Sequence, residues 1–166
     1  TADYTNPAGN ISWVLLRQEI RGLPVFQGEL LAALNSKGEL FRTVGRLVPE
    51  LEYAKISAEI NLQKSLGRNR DRLAAHASPG KELTTSAAQA VAIGGRSIGV
   101  TVDPESLVVS EESGDGTSVV FAAGPFAQPT KAQLIYFPLG PGDVTLAWSL
   151  ALWQDVPAYY TIVDAQ

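Results

Sequence analysis

Gly22-Leu23-Pro24-Val25-Phe26-Gln27-Gly28-Glu29-Leu30 lies between two strand-like runs and decides how the first third of the chain is read. Gly22 permits a backbone angle that other residues resist, Pro24 fixes its own angle and withholds a donor, and Val25-Phe26 restart an extended segment at once. The spacing therefore predicts a bend at Gly22–Pro24, near a sheet edge, in place of an ordinary hairpin turn. Outward from it, residues 11–20, 25–34 and 40–44 read as three successive strands, the last two joined by a turn at Asn35-Ser36-Lys37-Gly38. A meander is the simplest topology for them.

Residues 56–73 read as a helix, since Ala58, Leu62 and Leu66 recur every four residues with Glu59, Gln63, Lys64 and Arg68 between them. Ser78-Pro79-Gly80 stops that pattern and makes residues 74–81 a linker. A second helix is expected to start at Thr84 or Thr85, whose hydroxyl can cap it, to place Leu83, Ala87, Ala90 and Val91 on one face, and to end at Gly94-Gly95. Residues 107–110 and 119–123 flank Ser113-Gly114-Asp115-Gly116, a tight-turn signal. Val144, Leu146, Trp148, Leu150 and Leu152 then alternate with Thr145, Ala147, Ser149 and Ala151, so one face of that strand carries the large side chains to the core. Residues 133–139 pair with it across Gly140-Pro141-Gly142-Asp143, and a strand over 159–163 completes the sheet. The expected class is α+β: antiparallel sheets each packed by a helix on one face, as two small cystatin-like units.

With 166 residues, 45% hydrophobic and 18% charged, the chain has the size of one domain and enough apolar content for a core. No apolar run is long enough to span a membrane, and Thr1-Ala2-Asp3-Tyr4 is not a signal peptide, so a leader removed or a piece cut from something longer is expected, as the absence of methionine also suggests. Without cysteine there are no disulfides, thiolate metal sites or cysteine nucleophiles. A net charge of −4 argues against a nucleic-acid partner. Lys64, Arg68, Arg70 and Arg72 form a local basic run, read as the solvated face of a helix.

Catalytic and metal-binding patterns are missing. The single histidine, His76, sits in an alanine-rich stretch and reads as a linker or surface residue; there is no H-E-x-x-H and no G-x-S-x-G. Glu111, Glu112 and Asp115 fall in a turn, where acidic residues serve solubility and turn chemistry. Gly94-Gly95-Arg96-Ser97-Ile98-Gly99 follows a helix and lacks the lysine of a phosphate loop. Trp148 and Trp153 lie on opposite faces of one strand, which leaves Trp153, near Pro157, Tyr159 and Tyr160, as an exposed aromatic candidate. No catalytic residue, cofactor or metal ligand is expected.

The stretch Gly22 to Leu30, followed by a strand ending at Asn35-Ser36-Lys37-Gly38 and by Gly45-Arg46-Leu47-Val48-Pro49-Glu50-Leu51, resembles the fungalysin/thermolysin propeptide motif. Thr84-Thr85-Ser86-Ala87-Ala88-Gln89-Ala90, Leu146-Ala147-Trp148-Ser149-Leu150 and Tyr160-Thr161-Ile162-Val163-Asp164-Ala165-Gln166 are similar to the helix and last two strands of a PepSY module, which follows that motif in fungalysin precursors. The resemblance implies propeptide-like strands over 1–55, a helix and linker over 56–83, and a PepSY-like domain over 84–166. It also implies a non-catalytic pro-region of a secreted zinc metallopeptidase, acting as intramolecular chaperone and inhibitor of the peptidase catalytic domain, its partner. Secretion, or a periplasmic location, rests on the resemblance. Tyr159, Tyr160 and Asp164 are the candidate partner-binding residues, with β-strand addition as one mode. The alternative is a stand-alone extracellular or periplasmic protein-binding module of the same fold.

Overall fold

The computed structural model describes residues 2–51 and 83–166. Nine strands form one mixed sheet: β1 (Ala2–Thr5), β2 (Ile11–Ile20), β3 (Leu23–Asn35), β4 (Leu40–Arg46), β5 (Val109–Glu112), β6 (Ser118–Phe121), β7 (Thr130–Gly140), β8 (Asp143–Trp153) and β9 (Ala158–Asp164). One α-helix, α1 (Ala87–Ser97), accompanies them among the described residues. This overturns the α+β expectation of separate antiparallel sheets, each with its own helix in a cystatin-like or PepSY-like unit. The physical reason is β3. Its first half enters the core and meets β7 in parallel at Val25 and Tyr136, while its second half pairs with β4, so one long strand fuses the two halves. The helix expected over 56–73, its basic run and His76 lie outside the described residues.

The β2–β3 connection corrects another expectation. Ile20 pairs with Leu23, and Arg21 and Gly22 both have positive φ, at 56° and 81°. That is a two-residue hairpin turn whose twist matches its strands, and the glycine makes it accessible. Pro24 then sits inside β3, opposite Glu19.

On one face of β7–β9 lies the core. Leu146, Trp148, Leu150 and Leu152 of β8 are fully buried, as the alternation predicted, together with Leu134 and Tyr136 of β7 and Phe121 of β6. Each such aliphatic side chain contributes about 1.5–3 kcal/mol by leaving water. The Trp148 indole N–H donates to the Thr85 carbonyl at 2.8 Å, tying β8 to the chain just before α1. The Arg21 guanidinium donates to the Tyr136 hydroxyl; burial pushes that hydroxyl's pKa up while the arginine pulls it down.

α1 lies over this face through Ala87, Ala90 and Val91. Its cap is Ser86 in place of the expected Thr84 or Thr85: the Ser86 hydroxyl accepts from the Gln89 N–H at 3.2 Å, and the Gln89 side chain accepts from the Ser86 N–H at 2.8 Å. This reciprocal pair satisfies two donors that a helix start leaves over. Gly94 and Gly95 do not end α1. They lie inside it, because a Cβ on Gly94 would come within 2.8 Å of Leu150 Cδ1 and one on Gly95 within 3.0 Å of the Val100 carbonyl oxygen. Gly94 lets the helix approach the sheet and Gly95 the segment that follows it; the helix ends two residues later, at Ser97, with Ile98 as its C-cap.

Strands β1–β4 extend from this core as an arm. The β2–β3 register breaks between Arg17 and Glu19, where Gln18 faces the four residues from Val25 to Gly28, and this bulge marks the junction. There the Gln18 amide accepts from the Val48 N–H at 2.8 Å and donates to the Val48 carbonyl at 3.0 Å, so a side chain replaces a ladder strand and returns the chain after β4 to the core. Leu51 is buried, and the Pro49 carbonyl accepts from the Gly142 N–H at 3.0 Å.

Candidate interaction surface

Directly opposed residues share a face of a sheet, so the arm's registers sort its side chains. One face carries Trp13, Leu15 and Arg17 of β2, Glu29 and Leu31 of β3, and Arg42, Val44 and Arg46 of β4. Arg17 Nε donates to Glu29 Oε1 at 3.0 Å across it. Val14 and Leu16, Leu30 and Leu34, and Leu40 and Thr43 occupy the other, to which β2–β4 contribute no charged residue. Along β4 every residue is exposed, with Leu40 at 58%, Phe41 at 56% and Val44 at 50%. Among the described residues β4 pairs only with β3, and apolar residues on both faces and along this edge are more than the arm's own folding uses.

Gly45 holds β4 in place. Its φ of +143° and its approach to β3 leave no room for a side chain: a Cβ would lie 2.1 Å from the Glu29 carbonyl oxygen and 2.9 Å from Leu30 Cα. Nothing local in Val44-Gly45-Arg46 announces this constraint, because the atoms that impose it belong to β3.

A second surface lies on β7–β9, opposite α1. Small residues on β8 make it: Ala147, Ser149 and Thr145 are buried on this face, and above them Phe26 stacks on Phe137 at 5.2 Å and on Tyr160 at 6.1 Å. Three strand spacings of about 4.8 Å separate β3 from β9, so rings meeting at this distance require the sheet to curl toward this side. The Tyr160 hydroxyl and Ser149 Oγ share a hydrogen bond. Tyr160 remains 62% exposed, and Asp164, on the same face, accepts from the Gln166 N–H at 3.0 Å. Tyr159 points to the helix side, opposite Leu152. The three predicted site residues are therefore on one strand but not on one face. Trp153 is partly exposed at the end of β8, whereas Trp148 is core.

β9 pairs only with β8 among the described residues. Ala165 N–H donates to the Leu146 carbonyl at 3.1 Å and Gln154 N–H to the Pro157 carbonyl at 3.3 Å. With Val163 opposite Trp148, the antiparallel alternation directs the backbone groups of Tyr159, Thr161 and Val163 toward β8 and those of Tyr160, Ile162 and Asp164 outward.

Among the described residues no three or more His, Cys, Asp or Glu side chains are grouped so as to hold a metal ion, and no helix is long and apolar enough to cross a membrane. Asp115, in the β5–β6 turn, is engaged structurally: Ser113 Oγ donates to it at 2.6 Å, Thr117 Oγ1 at 2.8 Å and Thr117 N–H at 3.1 Å. These bonds, that of Ser113 foremost, hold its carboxyl well below the usual carboxylate range. The chain matches no family model, and no curated protein is significantly similar to it.

Proposed function

We propose that this chain is the non-catalytic pro-region of a secreted, fungalysin-like zinc metallopeptidase, which it helps to fold and holds inactive until it is cut away. The observation that carries the reading is the arm: apolar side chains exposed on both faces of β2–β4 and along all of β4 form a surface that folding alone does not require. Such a surface fits against another folded protein. The mode of action is binding, with no bond made or broken by this chain's residues. A domain that binds only the folded peptidase stabilises it by mass action, and tethering raises its local concentration, so that moderate affinity suffices until the tether is cut.

The motif resemblance supports the same reading through residues with definite structural duties. Gly22 closes the β2–β3 hairpin, Gly45 admits β4 against β3, Val48 is clasped by Gln18, and Trp148 anchors the segment before α1.

The test is a titration of this chain into the catalytic domain of a fungalysin-type zinc metallopeptidase from the same source, with peptide hydrolysis as readout. A parallel experiment follows the yield of active enzyme when denatured catalytic domain is diluted with and without the chain. The expected result is falling hydrolysis and rising yield, both weakened by the double substitution F41S and V44S. Unchanged rate and yield at high chain concentration would overturn the proposal.

A further inference from the structure

The registers of β1–β4 line up rows of side chains on the arm's charged face. Tyr4, Trp13, Ala33 and Arg42 stand side by side across the four strands, and Arg17, Glu29 and Arg46 do so across β2–β4. Leu15, Leu31 and Val44 lie between these two rows. Tyr4 is 58% exposed, Val44 50%, and Arg42 and Arg46 are exposed as well. Tyrosine, tryptophan and arginine are the residues that carry most of the binding energy in protein interfaces; β2–β4 place none of them on the opposite face. The charge here does not balance. Three arginines face one glutamate, and Arg17 holds that glutamate at 3.0 Å, so Arg42 and Arg46 have no carboxylate within ion-pair distance among the described residues. Residues 52–82 bring no acidic excess to cover them, having six lysines and arginines and four carboxylates.

We propose that the arm docks through this face onto an acidic protein surface, an inference that rests on the pro-region reading for the identity of the partner, the peptidase catalytic domain. The partner lays an apolar patch over Leu15, Leu31 and Val44 and sets carboxylates against Arg42 and Arg46. Those two arginines are four residues apart on one strand, about 13 Å, so a single carboxylate cannot serve both. The partner therefore supplies at least two, one to each side of its apolar patch, and each can take a guanidinium through two parallel bonds. Burial of the patch holds the complex, and the arginines select an acidic surface and fix its register. On a chain of net charge −4 such a face suits a compact acidic patch better than a long polyanion, which the rest of the molecule repels.

The test is calorimetric titration of the same catalytic domain with the full chain and with its double variant R42E and R46E, in about 0.05 M and about 0.5 M salt. Parent affinity is expected to fall at least about five-fold between the two salts. Charge reversal should weaken binding at least about ten-fold at low salt and abolish that fall. R96E with K131E makes the same change in net charge on α1 and β7, away from the arm, and should bind like the parent. Amide exchange from Leu40 to Arg46 checks that β4 persists in the arm variant; if it does not, the salt series on the parent chain decides. Binding indifferent to salt and to R42E with R46E, or weakened equally by the pair away from the arm, would overturn the inference and leave the pro-region reading standing. A chain that does not bind the catalytic domain at all would overturn both. Phosphatidylserine vesicles and a DNA duplex are the remaining probes: if either binds as tightly as the catalytic domain, and R42E with R46E abolishes it, the face serves a polyanion and the inference fails.

Discussion

Replacing Gly45 by alanine should detach β4 and leave the core standing. The added Cβ would sit 2.1 Å from the Glu29 carbonyl oxygen, 2.9 Å from Leu30 Cα and 3.0 Å from the Glu29 carbonyl carbon. All three atoms are backbone, so no rotamer change relieves them. A carbon–oxygen contact needs more than 3 Å, and the strand must retreat by about 1 Å, outside the 2.7–3.2 Å window in which ladder bonds hold. The φ of +143° adds about 1–3 kcal/mol for any residue with a side chain, and two lost ladder bonds add about 1 kcal/mol each. A total of about 3–5 kcal/mol falls on a strand with every residue exposed, which has little burial to hold it. Hydrogen exchange resolved by residue is the assay. Amides from Leu40 to Arg46 should exchange at least a hundred-fold faster than in the parent chain, while those of Leu146, Trp148 and Leu150 keep their protection. Under the function proposed above, inhibition should fall in parallel. Parent-like protection of β4 in the variant would refute the steric argument, and simultaneous loss of protection in β8 would refute the separation of arm from core.

Three further substitutions test the core and the turn chemistry. Trp148→Phe orphans the Thr85 carbonyl and leaves a void in a fully buried site, so it should cost about 2–4 kcal/mol, a fall in Tm of about 4–16 °C for a chain of this size; a smaller change in calorimetry would mean that the indole bond contributes little. Thr130 is completely buried, and its hydroxyl has no hydrogen-bond partner among the described residues, so Thr130→Val should raise stability by about 1 kcal/mol in denaturant unfolding. Because Asp115 has a lowered pKa when folded, its stabilising contribution is present above the ordinary aspartate value of about 4 and fades as pH falls through the folded value. Asp115→Asn should therefore lower stability at pH 7 and reduce its loss on acidification; an unaltered pH profile would show that the exposed carboxylate is screened of any net effect.

Strand periodicity was legible where one face meets the core. The alternation from Val144 to Leu152 predicted both the strand and its buried face, because large and small side chains take turns there. The sequence also carries the strand from Ile11 to Ile20 as an extended run bounded by turn residues, and the shared face of Ala87, Ala90 and Val91 as helical spacing. What escaped were features decided by a distant partner. Gly94 and Gly95 look like a helix stop in isolation, but Leu150 and Val100 fix them as the contact surface of the helix. Arg21 was not seen as half of a hairpin turn, since a non-glycine residue at φ 56° is uncommon and its guanidinium is held by Tyr136 from across the fold. The merger of two sheets rests on one parallel contact, Val25 with Tyr136, which no local pattern announces. The sequence sets Tyr159, Tyr160 and Asp164 together on the last strand; only pairing with β8 separates Tyr160 and Asp164 from Tyr159.

The bulge at Gln18 explains how one sheet can have a closed end and an open end. A regular β3 would carry the core's alternation outward and demand a second layer over the arm. Instead Gln27 at φ 54° and Gly28, where a Cβ would lie 2.9 Å from Gln18 Cβ, break the alternation at the junction. Beyond it, stability comes from ladder bonds, from the Arg17–Glu29 pair and from the central Ala32 and Ala33, which are buried by their neighbours without any covering helix among the described residues. The clasp of Gln18 on Val48 then lets the chain leave β4 and return Leu51 to the core, so loss of the arm's outer strand need not unravel what lies beneath. A fold divided in this way can keep apolar side chains such as Phe41 and Val44 in water because their removal from water is not what holds the core together, and they are free to be buried against a partner instead.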